Sequence, residues 1–226
     1  MGLLLVGSAM AVDSGGNSVY IDQTNADNST VSITQSGSGN SFGDPNSLTN
    51  PQFTIDGNNM SLTVTQDGMN NSITGNFVGG GGVGVILQQG NSNSTVLNYG
   101  NMGTDNGNLN LSIVGSNNSN TLNIGTLRDA SNYTYGVNLT GDSNSLTSTI
   151  NSKYTNNSFT ITGDSNTLTT TQTGFHGTNS AAGHSITSSV IGDNNAITVL
   201  QNGTTNANSA IINVTGSGAA VSVTQH

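Results

Sequence analysis

The 226-residue chain has no cysteine, no tryptophan, no glutamate and only two cationic side chains, Arg128 and Lys153. Each absence removes a class of function. Without cysteine there is no disulfide framework, no thiol nucleophile and no Cys-ligated zinc. Two cations cannot neutralise a phosphate backbone, so a nucleic acid is not an expected partner. With no glutamate and three histidines, a conventional acid–base site has few candidates, and the chain is read as a non-enzyme that needs no cofactor. No apolar run is long enough to span a bilayer as a helix.

What fills the chain instead is small and polar. Asn, Thr, Ser and Gly number 36, 31, 30 and 31, together 128 of the 226 residues, and charged residues are only 6%. All eleven acids are aspartates, and the net charge is -9. These residues are weak helix formers. Such a composition alone fits a disordered chain that cannot offset the entropy of ordering. The chain is also rich in Val, Ile and Thr, so their arrangement decides.

That arrangement is a repeat. Phe159-Thr-Ile161-Thr-Gly163-Asp-Ser-Asn166-Thr-Leu168-Thr-Thr-Thr-Gln172-Thr-Gly174 is its clearest copy. Val190 to Gly203 keeps the register, and Phe53 to Gly68 is aligned with it, Met60 standing in place of the asparagine. Looser copies run Leu111/Ile113/Gly115/Asn118/Leu122, Val137/Leu139/Gly141/Asn144/Leu146 and Ile212/Val214/Gly216/Val221/Val223/Gln225. Val85/Leu87/Gln89-Gly90/Asn93/Leu97 lies one residue out of step, and Val19/Ile21/Gln23 with Val31/Ile33/Gln35 forms the first copy. Glycines 90, 115, 141, 163, 192 and 216 are 25, 26, 22, 29 and 24 residues apart, a period that points to solenoids.

Within a copy, apolar residues alternate with Thr, Ser or Asn, the period of a strand with one buried face. Gly-Asp-Ser-Asn between strands is turn chemistry. The predicted fold is therefore an all-β, two-sheet parallel β-solenoid of seven to eight rungs spanning residues 12–226. Its rungs would be about 4.8 Å apart. The connections 43–51, 75–82, 99–108, 125–134 and 174–185 are expected to bulge as loops. Stacking predicts side-chain ladders through Gln35, Gln66, Gln88, Gln172, Gln201 and Gln225, and through Asn40, Asn71, Asn93, Asn118, Asn144, Asn166 and Asn195. Gly57, Gly90, Gly115, Gly141, Gly163, Gly192 and Gly216 are the predicted turn glycines.

The segments Gln35-Ser-Gly37-Ser-Gly-Asn40, Gln66-Asp-Gly68-Met-Asn-Asn71, Gln88-Gln-Gly90-Asn-Ser-Asn93 and Gln201-Asn-Gly203-Thr-Thr-Asn206 resemble the Q-x-G-x-x-N core of the curlin repeat. Val221-Ser-Val223-Thr-Gln225-His226 resembles a curlin strand. Gly115, Gly141 and Gly163 stand where that family often has glutamine, and Phe42, Ile73 and Thr95 where it often has alanine. The resemblance implies a secreted, non-catalytic subunit that polymerises with itself into extracellular amyloid fibres of a biofilm matrix, together with a nucleating or secretion partner. The last rung, stopping at His226, is expected to leave an edge on which another copy can grow.

Residues 1–11 are apolar and end in Ala9-Met-Ala11, like a secretory signal. The other reading is a strand that caps the first rung. Asp142, Asp164 and Asp193 share one turn position and are the weak candidates for a cation ladder. Their alternative role is plain turn chemistry. His176 and His184 flank one connection without a third ligand nearby, and Gly79 to Gly82 lacks the lysine of a phosphate cradle. Arg128 and Asp129 form a neighbouring ion pair at most. The functional expectation is an end-to-end fibre subunit. Its alternative is a virion or cell-surface spike or decoration protein with a solenoid shaft, and an ice-binding threonine array ranks third.

Overall fold

The computed structural model describes residues 7–12, 15–24, 27–44, 53–56, 59–76, 83–97, 108–123, 134–178 and 181–226. Residues 1–6, Gly57, the Gly79 to Gly82 run, Arg128 and Asp129 lie outside the described residues. Among those described there is no helix, and therefore none long and apolar enough to cross a membrane.

The strands are β1 (Gly7–Val12), β2 (Ser18–Thr24), β3 (Thr30–Ser38), β4 (Ser41–Phe42), β5 (Phe53–Asp56), β6 (Ser61–Met69) and β7 (Ser72–Ile73). They continue as β8 (Val83–Gln89), β9 (Ser94–Val96), β10 (Asn108–Ile113), β11 (Ser119–Thr121), β12 (Thr134–Tyr135), β13 (Asn138–Thr140) and β14 (Ser145–Asn151). The last six are β15 (Asn156–Thr162), β16 (Thr167–Thr173), β17 (Ser185–Ile191), β18 (Ala196–Gln201), β19 (Ser209–Thr215) and β20 (Ala220–Gln225).

They form a two-sheet parallel β-solenoid. Sheet A stacks β2, then β4 with β5, then β7, β9, β11, β14, β16, β18 and β20. Sheet B stacks β3, β6, β8, β10, then β12 with β13, then β15, β17 and β19. The chain passes from one sheet to the other and back, so each strand lies on the equivalent strand of the previous turn. One pairing breaks this rule: β1 lies antiparallel on β2, at the start of sheet A.

The alternating pattern produces a two-walled interior. On β15 the inward residues are Asn157, Phe159 and Ile161, and on β16 they are Leu168, Thr170 and Gln172. Large side chains collect where the rungs are least regular: Phe42 meets Phe53 at 4.2 Å between ring centroids, and Tyr135 packs edge-on against Phe159 at 5.8 Å. Every rung thus contributes apolar area that is buried only when the next rung is present.

Three repeat alignments change in the structure. Phe53 to Asp56 belongs to sheet A and pairs with β2, whereas Phe159 belongs to sheet B. The 53–68 copy is therefore half a turn out of phase with the 159–174 copy. On β8 the inward residues are Ile86 and Gln88, while Val85 faces outward and is exposed. Gln201 to Asn206 also runs through the opposite edge from the three motifs it resembles, and Asn206 is exposed. In each case the alternation of apolar residues is the same in both sheets and on both edges, so pattern alone does not fix the phase.

The passage from sheet B to sheet A is the uniform edge, a four-residue arc that reads Gly-x-x-Asn in most turns. Its first residue has positive φ at Gly68, Gly141, Gly163 and Gly192, and its third is left-handed too, as at Asn70, Ser143, Ser165 and Asn194. A side chain at the glycine position would strike the glycine carbonyl of the next turn: Gly192 for Gly163, and Gly216 for Gly192. Gly37 and Gly68 occupy this column together with the six glycines from Gly90 to Gly216. Most residues of the longer connections lie outside the described residues; the strands they join are in sheet A before and sheet B after or, for 43–51, are β4 and β5.

Gly163→Ala is expected to cost about 3 kcal/mol or more, since it adds a backbone clash to an unfavourable φ. Gly216→Ala has the same kind of φ but nothing within 4 Å of the added carbon, and should cost only about 1–2 kcal/mol of strain. Urea denaturation midpoints compare the two, and equal losses would refute carbonyl crowding as the constraint.

Candidate functional site

The asparagine closing each arc builds one continuous column through Asn17, Asn40, Asn71, Asn93, Asn118, Asn144, Asn166 and Asn195, all buried. Each Oδ1 accepts the backbone N–H of the asparagine one turn later: Asn166 donates to Asn144 at 2.9 Å and Asn195 to Asn166 at 2.9 Å. Each Nδ2 donates forward to the column glycine of the following turn, as Asn144 does to Gly163 and Asn166 to Gly192, at 2.8 and 2.7 Å. One short side chain thus satisfies a buried donor and a buried carbonyl on the next turn. The column starts at Asn17, which accepts from Asn40 and donates to Gly37. At the other end Asn195 accepts from Ala219, which has no side-chain amide with which to continue.

The glutamines form two separate ladders. Gln35 donates to Gln66 at 2.7 Å and Gln66 to Gln88 at 3.0 Å, all in sheet B. Gln172 donates to Gln201 and Gln201 to Gln225, both at 2.8 Å, in sheet A. The ladders sit toward opposite ends of the column. In sheet B the glutamine position passes from Gln88 to Ile113, Leu139, Ile161, Val190 and Val214. Gln88 then turns its amide to Thr95 at 3.0 Å.

On the exposed side of the arc, as its second residue, Asp142, Asp164 and Asp193 stack in successive turns. Asp142 Oδ1 accepts from the Ser116 N–H, Asp164 Oδ1 from Asp142, and Asp193 Oδ1 from Asp164, at 2.6, 2.8 and 2.8 Å. Asn91, Ser116 and Ser217 play the same part in their turns through neutral oxygens. The shared role is to bridge turns, and among the described residues no three His or Asp side chains group so as to hold a metal. The two histidines are likewise engaged separately. His176 Nδ1 accepts from Lys153, whereas the buried His184 accepts the Asn208 N–H on Nδ1 at 3.0 Å and contacts the Thr173 carbonyl through Nε2 at 3.1 Å. This geometry needs a neutral ring, and burial holds the His184 pKa below the usual imidazole value.

Some of the threonines share one face, while Thr170 is buried in the interior. Thr121, Thr147, Thr169 and Thr198 stack on the outer side of sheet A, with Val96 before and Ser222 after them. Thr149 and Thr171 stack beside them until Leu200 interrupts the column. Asn17 heads the asparagine column without belonging to any motif read from the sequence, and Gly37 and Gly68, named there only within the curlin-like segments, join the glycine column. Counting three residues back from each buried asparagine would have found both glycines.

The two ends of the column remain uncovered in different ways. At the first end β1 covers β2, while among the described residues no strand pairs the outer edge of β3, and its inward Val31 and Ile33 are half-buried. At the last end β19 and β20 terminate their sheets, and Val221 and Val223 are half-buried, although their stacking partners Ile197 and Val199 are buried. Comparisons with protein-family models, with curated proteins and with solved structures found no match.

Asn144→Ala would orphan the Asn166 N–H in the interior and should lower stability by about 2–4 kcal/mol. Asn151→Ala, on the outer side of β14, should stay within about 0.5 kcal/mol in the same denaturation assay. Acid provides an independent check. Because the folded His184 pKa is depressed, its contribution is complete above the unfolded value of about 6.5 and is lost as pH falls through the folded value. His184→Gln should flatten the loss of thermal stability between neutral and mildly acidic pH, and an unchanged slope would remove His184 as its source.

Proposed function

We propose that this chain is a non-catalytic structural subunit that stacks end to end into an extracellular β-fibre of the curli type. The observation that carries the reading is the last turn. Its strands β19 and β20 keep the register, inward residues and alternation of the turns beneath them, and among the described residues no strand pairs their outer edges and their valines are half-buried. Such an edge is a template for a matching strand, and Gln225, which accepts from Gln201, keeps an amide donor on the axis of the ladder. The curlin-like Gln-x-Gly-x-x-Asn arcs support the same reading, since all three in sheet B carry their glutamine and asparagine on turn-to-turn ladders. The partner is another copy of this chain, with a nucleator or secretion component as a further requirement of the fibre family.

A second reading, the shaft of a spike or decoration protein, is favoured by β1. An antiparallel strand at one end of a parallel sheet closes growth there and suits a discrete particle.

Electron microscopy and fibre diffraction of the purified chain separate the two. Unbranched filaments with a meridional reflection near about 4.8 Å are expected for the fibre subunit. A symmetric particle of fixed length would replace it with the shaft, and a protein that stays monomeric at high concentration would refute self-assembly.

A further inference from the structure

We propose that β1 is a movable cap. It closes sheet A of the free subunit and, when subunits stack, crosses to sheet B and pairs in parallel with β3. This inference rests on the fibre reading above.

The first argument is a count of levels. From β2 to β20 sheet A has nine levels, because β4 and β5 share one, whereas sheet B has eight, because β12 and β13 share one. The solenoid path therefore begins and ends in sheet A. If β2 of a second copy is laid on β20 of the first, no strand lies between β19 and the second copy's β3. That pair would be separated by about two strand spacings, roughly 9.6 Å, with an empty level between. As long as β1 covers β2, moreover, β2 cannot meet β20 at all.

The second argument lies in the arc before β2. Gly15, Gly16 and Asn17 already have the geometry that elsewhere receives a sheet B strand. Gly16 has φ 75°, like Gly39 at 69° one turn later. Gly39 donates to the Gly15 carbonyl, Asn17 Oδ1 accepts from Asn40, and Asn17 Nδ2 donates to Gly37. Counting back from Asn166 places the column glycine at 163 and the sheet B strand at 156–162. The same count from Asn17 places Ser14 at the column-glycine position and the strand at 7–13, and β1 is Gly7–Val12, so the crossing strand matches the frame of the other turns at the cost of one Cβ where they have glycine. The edge it would meet, β3, is the one whose inward valine and isoleucine are half-buried.

The third argument is register. With β1 in sheet B, the second copy continues both sheets without a gap. Asn17 falls over Ala219, Ser18 over Ala220 and Gln23 over Gln225, lengthening the ladder of Gln172, Gln201 and Gln225. In sheet B, Ala9 falls over Ile211, the most exposed large apolar residue described, at 74%. In the cap β1 has one described partner strand, whereas in the fibre it has two, so stacking replaces the pairing it removes and adds another.

The chain contains no cysteine, so paired cysteines report the two states cleanly. In Ala9→Cys/Ile21→Cys the new residues are register partners in the cap. Once oxidised, this variant should add to sonicated wild-type fibres about tenfold more slowly or not at all, and reductant should restore the wild-type rate. In Ala9→Cys/Ile211→Cys, fibres grown reduced and then oxidised should give a ladder of covalent multimers on a denaturing gel. Wild-type elongation by the locked variant, or monomers alone from the second, would overturn the movable cap and leave the fibre subunit standing. Absence of wild-type filaments would overturn both.

Discussion

Everything in this fold depends on the hydrogen bonds of one short side chain to the turn that follows it. An asparagine at the close of the arc can reach forward to the glycine carbonyl of the next turn and accept that turn's N–H. Glutamine is too long for both tasks in the same space, and serine lacks the amide donor. The carbonyl approach also requires a residue without a Cβ, which fixes glycine three positions earlier. The arc is thus a unit whose residues specify one another. It holds successive turns in register even where sheet A is reduced to two or three residues, as at β7 and β9.

This constraint also explains how an interior so rich in amides remains ordered. A buried amide is costly alone, but a column of amides supplies donors and acceptors turn by turn. Charge behaves in the opposite way, because like charges stacked on adjacent strands repel and leave nothing satisfied. Three aspartates in successive turns are accommodated only on the exposed side of the arc, each holding a backbone N–H of the preceding turn. The same turn position is filled elsewhere by Ser and Asn, which form that bond without the charge.

The two-sheet solenoid and the column of asparagines were readable from sequence because Gly-x-x-Asn recurs with strands of alternating character on both sides. Phase was not. Phe53-Thr-Ile55-Asp-Gly57 matches the template as well as Phe159-Thr-Ile161-Thr-Gly163 does, yet the two lie in opposite sheets, and only the stacking of Ile21 on Phe53 decides between them. Gln201-Asn-Gly203 matches the arc motif for the same reason, although it sits on the other edge. The strand pattern of the two walls is symmetric, so a motif that lacks the left-handed third residue and the forward carbonyl contact carries no information about its edge. β1 was harder still. Its alternation suits pairing in either direction, and the choice between antiparallel and parallel rests on the hairpin closing over Gly15 to Asn17.

The ends of such a column cannot be equivalent to its middle. Within the subunit every arc is tied to its successor by the two bonds of an asparagine, but the successor of the last arc would meet Ala219. In the proposed fibre, a junction between copies would therefore keep strand pairing, apolar burial and the Gln225 amide while lacking the arc bonds that every internal turn has. In a stacked assembly this makes the subunit boundary the weakest plane, weaker than any turn inside the subunit by about one buried, amide-satisfied pair of hydrogen bonds. A polymer with that property adds and loses whole subunits, because separating two copies breaks less than opening one. In the proposed fibre, the alanine that interrupts the ladder would keep each copy a distinct folding unit within a continuous pair of sheets.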